Sequence, residues 1–338
     1  MQNLAVIAAG MMTSVGLNAP AACAAIRAGL TNFADTRFMD SGGEWIVGGE
    51  VPLNPPWRGR AKLVHLAAPA MRECLDAGGR VGTEKIALLL CVSEKDRPGR
   101  FAGIEEHLLA EVQDALGAAF HPYSAVIAQG RVGGVAAVQR AATLIYEGRL
   151  PFCIVAGTDT YLTAGTLTAF EQASRLLTAD NSDGFIPGEA GAAVLLGPGS
   201  RHPSAMQITG IGFGREPAPI LSEEPLRADG LVQAIKMALT SANLDMGDLD
   251  FRICDVSGEQ YGFKEAALAL SRTLRKRKEA FDIWHPAECV GEVGAATVPI
   301  ILAVARAALQ KNYSLGSKVL CHFGNDDGDR GALILQHT

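Results

Sequence analysis

Chemistry in this sequence would have to be done by charged side chains at two Gly-rich helix starts. Gly130-Arg131-Val132-Gly133-Gly134-Val135-Ala136-Ala137 and Gly291-Glu292-Val293-Gly294-Ala295-Ala296-Thr297-Val298 look alike, and each runs into an apolar stretch that ends in a polar turn. Aligned peptide dipoles make a helix N-terminus attractive to anions, so an arginine there has the wrong sign and needs an anion beside it. Glu292, at the matching helix start, is the first candidate, with Asp326 and Asp327 next. Leaving one member of such a pair buried alone is costly, so the sequence predicts that Arg131 and Glu292 face each other.

Other chemistries find less support. The polar set Asp183, Glu189, Ser257, Glu292, Asp326 and Asp327 offers paired acids of the kind used in acid/base or metal work. No Gly-x-Ser-x-Gly elbow is present, and no His/acid spacing resembles a metal site, so neither metal nor cofactor is expected. Seven cysteines are scattered without a Cys-x-x-Cys pair, several inside apolar runs where a thiol behaves as a small hydrophobe; they fit a reducing cytoplasm. His285 stands alone and reads as structural.

The elements that must position these residues alternate. Apolar runs at 4–9, 85–92, 152–156, 192–196, 206–211, 251–256, 318–321 and 332–335 have the length and β-branched content of buried strands. Helical patterns lie between them at 20–28, 62–77, 104–118, 132–146, 231–242, 263–278 and 293–310. The alternation predicts an α/β protein with mostly parallel sheets covered on both faces. The strand over 152–156 is expected at a sheet edge, where it would need a partner chain to avoid aggregation. Arg272, Arg275, Lys276, Arg277 and Lys278 are placed at a helix C-terminus, where cations suit the dipole.

At 338 residues the chain can bury a large core without disulfides or metals. A formal charge of −6 gives no reason to bind nucleic acid or a membrane surface. The longest apolar helix candidate, 298–309, is too short to span a bilayer and contains Arg306, and the first residues lack a basic leader; a soluble cytoplasmic protein is expected. The order of strands and Gly-rich helices repeats, which predicts two halves, 1–203 and 204–338, divided at the polar turn Arg201-His202-Pro203-Ser204.

The run Asp183-Gly184-Phe185-Ile186-Pro187-Gly188-Glu189-Ala190-Gly191 resembles the Asp-Gly-Phe-Val-x-Gly-Glu-Gly-Ala segment of β-ketoacyl synthases. Further anchors follow family order: Val6-Ile7-Ala8-Ala9-Gly10 with Ser14-Val15-Gly16, then Ala156-Gly157-Thr158-Asp159, then Gly294-Ala295-Ala296. The resemblance implies the thiolase fold, two duplicated α/β halves in a five-layer αβαβα arrangement, normally a dimer. In active members a cysteine at a helix N-terminus takes an acyl group from an acyl carrier protein or coenzyme A, and two histidines activate decarboxylation.

The catalytic set is not at the matching positions. Alignment without gaps places Arg131 on the cysteine, and a slip of one or two places Gly130 or Gln129 there. Ser257 falls on the first histidine, and Glu292, or Gly291, on the second. The Phe-Gly-Phe-Gly-Gly turn reads His322-Phe323-Gly324-Asn325-Asp326, with the second aromatic gone. Covalent catalysis needs a nucleophile and its base within reach. The expectation is therefore an inactive synthase-like protein acting as a binding or accessory subunit. Its partner would be a second copy, an active synthase-like chain, an acyl carrier protein or a protein client, the last including an adaptor role in a bacterial secretion-effector cassette. The alternative is an acyltransferase or other enzyme using a non-standard polar site.

Overall fold

A computed structural model describes residues 2–79 and 81–337. The first half runs β1 (Leu4–Thr13), α1 (Ala19–Arg27), a hairpin of β2 (Ala34–Met39) and β3 (Trp45–Gly48), α2 (Gly59–Gly78), β4 (Ile86–Val92), α3 (Ile104–Leu116), β5 (Ala125–Ala128), α4 (Gly130–Tyr146), β6 (Phe152–Thr160), α5 (Ala164–Gln172) and β7 (Glu189–Pro198). The second runs β8 (Met206–Arg215), α6 (Asp229–Ala242), β9 (Phe251–Cys254), α7 (Gln260–Thr273), β10 (Ile283–Trp284), α8 (Ala287–Val290), α9 (Thr297–Gln310), β11 (Lys318–Gly324) and β12 (Asp329–Gln336).

The strands follow one rule twice. The order β5-β4-β6-β7-β1 in the first half repeats as β10-β9-β11-β12-β8 in the second. In each, the first three strands are parallel and the last two join antiparallel, so the sheet is mixed and not mostly parallel as the alternation predicts. The reason is that β12 follows β11 with no crossover helix to turn it parallel, and α5 between β6 and β7 does not act as one. Among the described residues the halves pair edge to edge where Leu4–Val6 of β1 meets Met206–Ile208 of β8. Helices α4 and α9 form the middle layer, inside a core that joins both halves through Val135, Val138, Val298 and Ile301. Gly134 lets them approach, since a Cβ there would run into the side chain of Val298. α2 and α3 cover one outer face through Leu63, Met71 and Leu108, while α6 and α7 cover the other through Leu231, Ile235 and Ala269. The result is the five-layer αβαβα thiolase arrangement.

Two positional expectations are corrected. β6 is an interior strand, paired with β4 on one side and β7 on the other; the edge is β5, whose four residues are all partly exposed. α7 ends at Thr273, so Arg275 to Lys278 lie in the loop after it rather than in its last turn. Arg272 instead pairs with Asp229 at 2.6 Å, and the Lys278 ammonium donates to the carbonyl of Leu249. Leu274 has extended backbone, which stops the helix before the basic run.

Candidate functional site

The two middle helices start in the same backbone conformation. Gln129 (φ −134°, ψ 26°) leads into Gly130 at φ 52°, and Val293 (φ −120°, ψ 14°) leads into Gly294, also at φ 52°. A left-handed residue at a tight strand-to-helix entry costs an L-amino acid strain that glycine avoids. The structural repeat thus matches Gly130 to Gly294 and Arg131 to Ala295, three residues away from the register in which Gly130 meets Gly291. Gly291 is also left-handed (φ 78°), but it ends α8, and this second glycine is what made the sequence register ambiguous.

Arg131 and Glu292 still meet. The Arg131 guanidinium reaches out of α4 to Glu292 Oε2 at 2.7 Å and to Asp326 Oδ1 at 2.6 Å, with Asp255 Oδ2 3.8 Å from its Nε. The second carboxylate oxygen of Glu292 accepts from the backbone N–H of Gly294 at 2.9 Å. Asp326 is shared: Arg175 Nη1 lies 2.6 Å from its other oxygen, while Arg175 also binds Glu259 through two nitrogens at 2.7 and 2.8 Å. Burial opposes ionisation of Asp326, but Arg131 and Arg175 outweigh it and hold the carboxyl well below the usual carboxylate range.

A third arginine completes the cluster. Arg97, with a 2% exposed side chain, binds Glu94 at 2.6 Å and Asp159 at 2.7 Å. Glu94 stands where a side chain on Gly130 would project, and Asp159 occupies the same place at Gly294. Asp159 also accepts from the N–H of Ala295 at 3.0 Å. The N–H of Val132 in the first turn of α4 is taken by Asn325 Oδ1 at 3.1 Å, and Asn325 Nδ2 donates to the carbonyl of Gln129 at 2.8 Å. Helix N-termini attract anions, and here the protein's own side chains already hold these positions.

The remaining space is small and polar. A cavity of about 50 Å³ is lined by Arg131, Asp255, Ser257, His322, Asn325 and Arg330 among others. That is room for a water or two and not for an acyl chain. Burial, only partly offset by Arg131, pushes the Asp255 carboxyl up to about 6. His322 on β11 went unweighed in the sequence because it lies inside an apolar strand. Its imidazole is 3% exposed, and burial with Arg252 and Arg330 pushes it down to about 3, leaving it a weak base. The nearby Cys254 thiol is pushed up to about 12 by burial, far from a reactive thiolate.

The other sequence-selected residues do structural work. Phe323 is 1% exposed in the central core, and the N–H of Gly324 donates to Asp255 at 2.7 Å. Asp183 accepts from the N–H of Gln260 at 2.7 Å, capping α7 of the opposite half. Gly184 packs against the Leu176 backbone, and Gly188 donates to the Glu292 carbonyl at 2.9 Å. Phe185 closes an aromatic cluster with Tyr161 and Phe170. Glu189, fully buried, binds Lys62 at 2.8 Å and accepts from Thr160 and from the N–H of Val51. Asp327 is at the surface, 3.4 Å from Arg215, and His285 packs edge-on to Phe263, outside the cluster. Arg97, Arg175, Glu94 and Glu259 were missed, since nothing in their local sequence marks them as meeting across the fold. Among the described residues no group of three or more His, Cys, Asp or Glu is placed to hold a metal ion, and no helix is long and apolar enough to cross a membrane.

Comparison with known proteins agrees with this architecture. Residues 132–202 match the family model for the N-terminal domain of β-ketoacyl synthases. No curated protein matches the sequence. A chain from the complex of a type II polyketide synthase acyl-carrier protein with its ketosynthase, bound to the hexaketide, superposes with a TM-score of 0.82 at 14% identity, covering 100% of both chains. The ishigamide ketosynthase/chain length factor gives 0.78 at 17% identity, covering 100% of this chain and 99% of that one. A β-ketoacyl synthase from Burkholderia phymatum STM815 gives 0.77 at 14% identity, with both chains covered in full. The matched segment thus resembles the N-terminal domain of β-ketoacyl synthases, and the chain as a whole has the thiolase fold that these solved structures share.

Proposed function

We propose that this chain is a catalytically inactive synthase-like accessory subunit, which works by binding a partner chain and not by acyl transfer. The observation that carries the reading is the ion-pair cluster itself. A thioester condensation needs a thiolate at the helix start, imidazoles beside it and free backbone donors for the oxyanion. In their place stand Gly130 with Glu94 over it, Arg131 bound to Glu292 and Asp326, and donors already satisfied by Asp159, Glu292 and Asn325.

The partner is a second copy of the chain or another synthase-like chain. β5 supports this: Ala125-Val126-Ile127-Ala128 is a partly exposed apolar edge at the end of the sheet, next to the start of α4. An unpaired edge of this kind is a template for strand addition unless another chain covers it. Similar folds include a ketosynthase/chain length factor pair and a ketosynthase complexed with its acyl-carrier protein, so an acyl carrier protein is the next candidate client.

Two measurements test the reading. Purified protein incubated with malonyl and acyl thioesters of coenzyme A and of a carrier protein is expected to give no adduct and no carbon dioxide. Light scattering at micromolar concentration is expected to show a dimer, or a monomer that becomes a heterodimer on adding the synthase-like chain. Turnover would overturn the inactive reading, and a persistent monomer with no such complex would overturn the partner reading.

A further inference from the structure

We infer that the cleft where the two halves join binds a small oxyanion, phosphate or carboxylate, carried on a short apolar body. The cleft measures about 440 Å³ and lies between the start of the sheet edge contact, the loop from β7 to β8, the end of α9 and the end of β12. Among the described residues four of its lining side chains are basic, Arg201, His202, Arg306 and His337, and none is acidic. On a chain with 36 acidic residues against 30 lysines and arginines, such segregation of sign is unusual for a surface that binds nothing.

The arginine in the wall has no carboxylate partner among the described residues. Arg306 is half-buried, and among those residues its guanidinium makes one hydrogen bond, from Nη2 to the carbonyl of Ile7 at 2.7 Å. A guanidinium has five donors in a planar fork suited to two oxygens of a carboxylate or phosphate. The contrast with the cluster at the helix starts is direct, since Arg97, Arg131 and Arg175 each hold a carboxylate within 2.7 Å. His337 lines the same cleft, and the Arg306 donors that no described residue takes are left for an oxyanion there. Ile7 and Leu309 add apolar wall. The volume falls in the range of small-molecule sites, so the ligand has an apolar body as well as the anionic head.

Calorimetric titration of the full chain with butyl phosphate, with valerate and with inorganic phosphate tests the assignment and separates the two anion sources. The expected result is saturable one-site binding of butyl phosphate or valerate that weakens with added salt, with inorganic phosphate weaker because it lacks the apolar body. Arg201→Gln, at an exposed position that the fold does not need, and Arg306→Met should each weaken binding about tenfold or more, the worth of one charge-assisted hydrogen bond. Should Arg306→Met fail to fold, Arg201→Gln decides alone. Absence of saturable binding by the wild type up to about 10 mM of either organic probe, or binding unaffected by Arg201→Gln, would overturn the inference; inorganic phosphate binding as tightly as butyl phosphate would overturn its apolar part.

Discussion

The start of α4 and the turn that leads into α9 share one backbone and differ in what fills them. At Gly294 the filling is buried: Asp159 is 3% exposed, bound by Arg97 and by the Ala295 N–H, and Glu292 takes the Gly294 N–H. At Gly130 it is more exposed. The Glu94 side chain is 32% exposed, the first-turn donor goes to the neutral amide of Asn325, and Arg131 projects outwards to collect carboxylates from three other segments. A fold that places two helix N-termini face to face must put something there, and in this chain it is charge pairs. The price is that several ionised groups are withdrawn from water, and removing any one of them strands its partners.

The largest expected effect breaks the pairing at the first start. Arg131→Ala leaves Glu292 and Asp326 without their shared cation and should cost about 3–5 kcal/mol, the range for breaking a buried pair, measured by urea unfolding; a loss under about 1 kcal/mol, typical of exposed pairs, would show that the cluster is not holding the halves together. The next effect depends on pH. The Asp255 carboxyl is raised in the folded state to about 6, by burial against the pull of Arg131. A raised carboxyl favours the fold in acid, and that contribution is lost as pH rises from the unfolded value near 4 through about 6. Asp255→Asn should therefore gain about 2–3 kcal/mol relative to wild type between about pH 4 and pH 7. Equal pH profiles for the two proteins would contradict this.

A smaller effect sharpens the contrast between the starts. Gly130→Ala and Gly294→Ala both force an L-residue into left-handed backbone and both press a Cβ on a carboxylate. Glu94 can swing towards solvent and Asp159 cannot, so the second substitution should cost about 2–3 kcal/mol and the first about 1–2. Equal losses would mean that the fillings are alike. The smallest effect is the control: Arg215→Ala removes contacts to Asp327 and Asp329, where the side chains are 62%, 58% and 44% exposed, and should change stability by less than about 1 kcal/mol.

Much of the architecture was legible in the residues. The apolar runs read at 85–92 and 152–156 lie in the buried strands β4 and β6, and periodicity marked α2, α4, α6 and α9. The Arg131–Glu292 contact was legible too, because an arginine at a helix start demands a counter-charge. Short elements escaped: β5 has four residues and β10 two, too few for any period to show, and with β5 unseen the edge of the sheet was assigned to β6. The repeat register escaped because Gly291 and Gly294 both have positive φ, and only the backbone shows which one opens the helix. Arg97 and Arg175 escaped because their partners lie 62, 84 and 151 residues away, and pairing across the fold has no local signature.

The central claim is that a β-ketoacyl synthase-like scaffold here carries ion pairs where a synthase carries its reaction. Intact-mass measurement of the wild-type protein after incubation with malonyl and acyl carrier-protein thioesters, with released carbon dioxide quantified in the same tube, tests it most directly. The expected result is an unchanged protein mass and carbon dioxide at the level of a protein-free blank. An acyl adduct on the protein, or decarboxylation above that blank, would contradict it.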